Sequence, residues 1–419
     1  MGVASDWTGS ISRRSPMEAV EFYLAVTAVF LTPMNFLKFF GIYITASDFF
    51  AIACLFLMVV NRGLPMRPFA AATPVWLIGI ILLMTGLMVS SLVNGDPTRG
   101  MIVSGQYFYS MFLLPLIIVT RPWSELIILV KAFLASIVLM CLFGLYFIHI
   151  DGQTQTQWVS GNGRLRSWIG AANATAGVLA LTIPLLMWTS RKQILSKYVV
   201  WPALALCIYN VMLTASNAGL IMSFFGLSVF LFFTFSAIQL VLAGICAIAL
   251  VFIIAQWGSL FLTDIFQQRV LSALGSGDID RAGTFADRFE LMTEALQLSN
   301  HTIFLGLGVD QYRVVSELEK PVHNIYLLLL TEGGLIALIG FMLIILAWIS
   351  PAFISRSKTS FGESDVCCLT TIASFLVLIN ATPHVYGRFW ILPLVLAVSL
   401  SIASAQKGDV PLRLRRRQP

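Results

Sequence analysis

Apolar runs of about 20 residues recur along the whole chain, separated by short polar breaks. A helix of that length crosses a hydrocarbon core about 30 Å thick, so this pattern constrains the fold more than any other feature. The composition agrees: 58% of residues are apolar and 11% are charged, against roughly 25% charged in an ordinary soluble domain. Alternating segments of about 10 residues, as a membrane β-barrel would need, are absent. The expected architecture is an all-α polytopic membrane protein with about 12 transmembrane helices. They fall near 18–40, 47–60, 74–94, 101–120, 125–149, 169–190, 198–214, 217–235, 237–257, 323–349, 365–384 and 389–405. The second run is short and the seventh and eighth are nearly fused, so the count is open by one or two. The first run also reads as ending in a re-entrant piece near Pro33.

Basic residues set the expected orientation, because cytoplasmic loops are enriched in Lys and Arg. With the N-terminus inside, the inner face receives Arg13, Arg14, Arg62, Arg67, Arg121, Arg191, Lys192, Lys197, Arg356, Lys358 and a tail bearing Lys407, Arg413, Arg415, Arg416 and Arg417. The short outer loops receive Arg99, Arg164, Arg166 and Arg388. Both termini are then cytoplasmic. The expected segments are a cytoplasmic N-terminal piece 1–17, helices 1–9 over 18–257, an outer loop 258–322, helices 10–12 over 323–405 and a basic cytoplasmic tail 406–419. The polar start of the chain carries no short apolar core with a small-residue cleavage site, so the first run reads as a retained anchor. The six cysteines all fall in expected spans and read as small buried apolar residues, with no disulfide framework or CxxC metal pair. The net charge of +6 follows topology and requires no nucleic-acid partner.

The island 258–322 is the one sizeable water-soluble stretch. Phe285, Phe289, Met292 and Leu296 recur at helical spacing in it, which predicts an amphipathic helix resting on the outer interface or capping the bundle. Gly275 to Arg281 reads as a polar loop and Leu305-Gly-Leu-Gly308 as a turn. The island ends at PVHNIYLLLLTEGGLIALIG, where the chain re-enters the membrane.

Chemistry must sit at such a boundary. His323 can accept a proton from a hydroxyl near neutral pH, and it can equally hydrogen-bond a loop carbonyl. Arg288 on the island helix, with Arg281 before it, offers planar forks for phosphate oxygens; headgroup contact or pairing with Asp287 or Glu290 is the structural alternative. Arg164 and Arg166 in the loop before the sixth run read as phosphate ligands or interfacial anchors. Arg313 reads as structural. His149 and His384 sit at outer span ends, where His384 could also approach the site. Asn173, Asn217 and Glu332 lie in or near spans, where polar groups are costly and often functional; Asn210 and Asn380 could bridge helices. Asp278 and Asp280 have metal-pair spacing but lie in a Gly-rich loop on the outer side. No HExxH, P-loop or GxSxG signature occurs, and neither metal nor cofactor is expected.

In order along the chain, Ile44-Thr-Ala-Ser-Asp48, RLRSWIGAAN (164–173), Thr214-Ala-Ser-Asn-Ala-Gly-Leu220, ADRFELMTEALQLSNHTIFLGLGVDQY (286–312) and HNIYLLLLTEGGLIAL (323–338) resemble the successive motifs of the O-antigen ligase and polymerase superfamily. The resemblance implies a GT-C-like glycosyltransferase of the bacterial inner membrane, metal-independent and acting on the periplasmic side. Its donor would be an undecaprenyl-diphosphate-linked glycan. The acceptor would be a hydroxyl on lipid A-core, on a lipid-linked repeat or on a protein. It places catalysis on His323 and Arg288, with Arg164, Arg166, Asn217, Asn173, Arg281 and Asn324 around the diphosphate and glycan. Asn217 departs from the pattern, because the family carries arginine there. Either Arg164 or Arg166 supplies the missing charge, or the chemistry is altered. Ligase is the first reading and polymerase the second; a non-catalytic transporter of lipid-linked sugar is the alternative from another class.

Overall fold

The computed structural model describes residues 15–36, 38–39, 44–271, 285–354 and 361–406. Arg281 and the Asp278–Asp280 pair lie outside the described residues, as do Arg13, Arg14, Arg356, Lys358 and the basic tail. The chain is a helical bundle: α1 Pro16–Leu31, α2 Ala46–Arg62, α3 Thr73–Asn94, α4 Pro97–Ile118, α5 Trp123–Asp151, α6 Ala172–Arg191, α7 Lys197–Leu213, α8 Asn217–Thr234, α9 Ala237–Leu260, α10 Phe285–Thr302, α11 Ile325–Ile349, α12 Glu363–Leu378 and α13 Arg388–Gln406. Among the described residues, eight helices are long and apolar enough to cross a membrane. The α1, α2, α7 and α12 helices are shorter.

Several boundaries differ from expectation for local reasons. The first apolar run stops being helical at Leu31, where Thr32 and Pro33 begin a turn. A two-residue antiparallel ladder follows, Lys38–Phe39 against Ile44–Thr45, so the fold is not wholly α. The eleventh run ends at Leu378 rather than 384, leaving residues 381–387 as an irregular connection. Pro383 lies within it and disfavours helix at the residue before it. Cys246 is exposed on α9, whereas the other five cysteines are buried as expected.

The α6 and α13 helices form the centre, with 83% of their apolar windows buried; α9 is peripheral, with 6% buried. In a bilayer that difference separates core helices from a lipid-facing one. The α3 and α11 helices cross closely at small residues, and a Cβ on Gly340 would run into the α3 backbone at Leu83. Close backbone approach of this kind is how membrane helices gain packing without a hydrophobic drive between them.

At the end of the bundle away from the island, basic residues expected there are tied into buried ion pairs. Arg121 bridges Glu21 at 3.1 Å and Glu125 at 2.8 Å, and Arg191 and Lys192 both approach Glu363. These charges therefore also hold helices together.

The island helix α10 forms, and the stripe it buries against the bundle is not the Phe289–Leu296 one. Leu291, Ala295 and Ser299 are buried, while Phe289 is 73% and Leu296 51% exposed. The 3.6-residue period allows two partly apolar stripes on this helix, and contact with the bundle selects the one carrying the smaller side chains. The chain after α10 then plugs a break in α11. Gly334 has φ 70° and ψ −176°, which ends the α-helical hydrogen-bond ladder locally. Leu307 N–H donates to the Thr331 carbonyl at 2.7 Å, Gly308 N–H to the Glu332 carbonyl at 3.0 Å, and Leu335 N–H to the Ile303 carbonyl at 2.7 Å. Irregular backbone is tolerated at such depth because each freed group finds a protein partner. Glu332, buried at the break, accepts from the backbone N–H groups of Asp310 and Tyr312. Its role here is to hold the island turn.

Candidate active site

Residues of α4, α6, α8, α10, α12 and α13, with His323 just before α11, line two adjoining cavities of about 350 and 260 Å³. Asn173 and Ala381 line both.

The larger cavity is cationic. Its charge comes from the island, in Arg269 and Arg288. Arg288 was expected from the sequence; Arg269 was not. It sits in a short helical turn, Gln267–Leu271, whose neighbours Phe266 and Val270 are buried against Met212 and Leu262. That small apolar anchor positions the guanidinium. In the sequence it is a lone basic residue after two glutamines.

Arg164 stands beside this cavity. Its Nε donates to the Thr214 carbonyl at 2.8 Å and its Nη2 to Asn173 Oδ1 at 2.6 Å. Burial pushes its guanidinium down to about 10, with Arg269, Arg288 and Arg166 adding to the effect in that order. Burial also lowers Arg288, and Arg269 lowers it further. Arg269, Arg288 and Arg166 thus all stand within electrostatic reach of Arg164. Like charges held together in a partly desolvated place favour an anion.

Asn217 lines the same cavity at the first turn of α8, after a turn in which Ala215 has φ 47°. Ser216 caps that helix, accepting from Gly219 N–H at 3.3 Å. A helix N-terminus presents backbone N–H groups and the positive end of its dipole. The position where the resembled family carries arginine therefore offers neutral donors, and the charge comes from Arg269, Arg288 and Arg164. Arg166 acts electrostatically on Arg164, while its carbonyl accepts from Thr175 Oγ1 at 2.5 Å.

The smaller cavity holds His323, with His384, Gln106, Asn35, Tyr386 and Trp390 around it. His323 is half-buried. Burial lowers its pKa below the ordinary value, Arg288 and Lys320 lower it further, and the Pro321 backbone opposes. The ring is therefore neutral at pH 7 and able to accept a proton. Lys320 pairs with Asp287 at 3.3 Å, which ties the lead into α11 to the helix bearing Arg288. His384 lies deeper. Burial pushes it down to about 4, Asp310 opposes, and Arg313 and His323 add to the lowering. Its irregular loop after α12 brings it beside His323, an approach the sequence left open.

Asn324 is committed to the frame. Its Oδ1 accepts from Leu327 N–H at 3.1 Å, capping α11, and its Nδ2 donates to Asn380 Oδ1 at 3.2 Å. It reaches the larger cavity through Asn380, which lines it, rather than by facing a ligand itself. Arg388, read as an outer-loop charge, is buried and paired with Asp48 at 2.6 Å. Arg313 is structural as expected, forked onto Asp310 at 2.6 and 2.8 Å. Among the described residues no three His, Cys, Asp or Glu side chains gather as a metal site would require.

No curated protein matches the chain. Residues 202–342 match the family model described as O-Antigen ligase, a stretch that contains Asn217, Arg269, Arg288 and His323 and ends inside α11. That segment, with its arginines and histidine gathered at one end of a multi-pass helical bundle, supports membership of the O-antigen ligase-like superfamily.

Proposed function

We propose that the protein is a glycosyltransferase of the bacterial inner membrane, with all twelve apolar helices crossing it, both termini cytoplasmic and the two cavities on the periplasmic side. It moves a glycan from an undecaprenyl-diphosphate-linked donor to an acceptor hydroxyl, as an O-antigen ligase with lipid A-core as acceptor. The observation that carries this reading is the juxtaposition of an arginine-rich cavity with a neutral histidine. The diphosphate sits by Arg269, Arg288 and the N-terminus of α8, with Arg164 behind. The prenyl chain leaves over Ile221, Phe289 and Val377, which line the same cavity and are exposed on the surface of the bundle.

The anomeric carbon then faces the smaller cavity. His323 takes the proton of the acceptor hydroxyl as oxygen bonds to that carbon and the bond to the diphosphate breaks. Attack from the side opposite the leaving group inverts the linkage in one step. The negative charge that grows on the leaving diphosphate is met by guanidinium groups already in place, the kind of preorganised stabilisation that is usually the largest catalytic term. A lipid diphosphate leaves readily, so neither a strong general acid nor a metal is needed.

The test is complementation of a deletion strain with intact protein and with His323→Ala, reading the surface glycan by gel. For a ligase, the deletion leaves free acceptor core and accumulated lipid-linked chains, repaired only by the intact protein. Surface glycan limited to single repeats would make the enzyme a polymerase of the same superfamily. Full repair by His323→Ala would remove the catalytic role assigned to that residue.

A further inference from the structure

The smaller cavity has a chemistry the leaving diphosphate does not use. Among the described residues, Arg388 is the one permanent cation lining it, and that charge is matched by Asp48 at 2.6 Å and faced by the Tyr109 ring at 5.4 Å. Both histidines are shifted towards the neutral form by burial. The remaining polar lining consists of side-chain amides and a hydroxyl. Asn35 spends its Nδ2 on the Ile169 carbonyl at 2.9 Å, so it offers a ligand its amide oxygen. Asn173 accepts from Arg164, so it offers its amide N–H. Gln106 offers both kinds of group, and Thr382 a hydroxyl.

Trp390 closes one wall. It is only 2% exposed and so tightly packed that a Cβ on Gly177 would clash with its ring. Tyr386, in edge contact with buried Tyr107 at 5.3 Å, stands beside His384. Aromatic walls with an apolar body and a polar tip, around alternating donors and acceptors, suit a ligand with C–H faces and many hydroxyls. At about 260 Å³ the space lies just below the roughly 300 Å³ at which drug-sized sites begin. It matches one ring rather than a stretch of oligosaccharide.

We propose that this neutral compartment seats a single uncharged sugar ring of the acceptor, with its accepting hydroxyl towards His323 and a neighbouring hydroxyl on His384. A phosphorylated or carboxylated sugar gains no unmatched lining cation there among the described residues, because Arg388 is already paired with Asp48. Only the word acceptor rests on the glycosyl-transfer reading; the sugar site does not.

The test is saturation-transfer NMR on the full-length protein in phospholipid nanodiscs. The probes are a panel of neutral methyl hexopyranosides and a methyl N-acetylglucosaminide, with hexose 6-phosphates as the charged counterpart. At least one neutral glycoside should receive saturation, with the signal reduced at least five-fold in Gln106→Leu, Thr382→Val and His384→Phe and unchanged in Lys197→Ala at the opposite end of the bundle. Three independent variants guard against misfolding of any one. If no neutral glycoside shows a signal that these variants reduce, or if the 6-phosphates are bound preferentially through the same residues, the proposal is overturned. Turnover of an undecaprenyl-diphosphate-linked glycan, measured in parallel, separates the two claims. Sugar binding without turnover would sink the glycosyl-transfer reading and leave the sugar site standing; turnover with an NMR signal insensitive to the variants would do the reverse.

Discussion

Arg269 and Arg288 reach one cavity from two different pieces of the island, and each lowers the cost of negative charge there. Removal of a single charge-stabilising donor from a site of this kind typically costs about 10²–10³ in rate. Arg269→Ala should therefore reduce transfer from a lipid-linked donor about 10²-fold, comparably to Arg288→Ala, and Arg269→Lys should recover part of the loss. Assay of purified variants on a lipid-linked donor checks this; an unimpaired Arg269→Ala would remove it from the site. His323 carries the complementary role. Its pKa is lowered from 6.5 by burial and by Arg288, so the neutral, proton-accepting form prevails above that value and is lost as pH falls through the lowered pKa. Rate against pH should be flat through neutrality and fall on the acid side, with a midpoint below about 6.5. In Arg288→Ala one source of the lowering is gone, so the midpoint should move up. A midpoint that stays in place would mean that the limb reports another group.

At the scale of elements, the break in α11 decides where the island sits. Gly334 lies at φ 70°, a region non-glycine residues occupy at a cost of about 1–3 kcal/mol, and a Cβ there would overlap the Phe304 carbonyl. Gly334→Ala should destabilise the protein by at least that amount and loosen the 303–313 turn. A lowered melting temperature in detergent, together with faster hydrogen exchange at Leu307 and Gly308, would be the outcome. An unchanged melt would mean the turn docks without the break. The pair Asp48–Arg388 joins the start of α2 to the start of α13 below the smaller cavity, with both side chains almost fully buried. Losing one partner of a buried pair costs about 3–5 kcal/mol, so Asp48→Ala should lower the melting temperature more than Asp287→Ala, which breaks an exposed pair with Lys320. Equal shifts would show that the buried pair adds no more than the exposed one.

For the whole molecule, the proposed orientation places the island and both cavities outside the membrane and residues 192–197 inside. Glu290→Cys on α10 should be labelled by a membrane-impermeant maleimide in intact spheroplasts, and Gln193→Cys only after lysis. The native cysteines are buried, apart from Cys246 on the apolar surface of α9. The reverse pattern would invert the topology and move the site to the cytoplasmic face.

The membrane class, the helices and the island helix were all legible in the sequence, because apolar run length and helical spacing are local properties that a bilayer reads directly. His323, Asn173 and Asn217 stand where apolar runs begin or end and Arg288 stands on the island helix, so all four can be picked out along the chain as candidates. Other features required the tertiary structure. Which stripe of α10 is buried depends on the surface it meets: the bundle takes Leu291, Ala295 and Ser299 and leaves Phe289 and Leu296 exposed. Arg269 acquires meaning only when Phe266 and Val270 anchor its turn against α7. His384 joins His323 only because the chain after Leu378 leaves the helix and folds back, and Asn324 turns out to hold the frame because its two ends find Leu327 and Asn380. Periodicity and burial belong to single segments and can be read along the chain. A site lined by residues of six helices depends on distances between segments far apart in sequence, and only the packed bundle sets those.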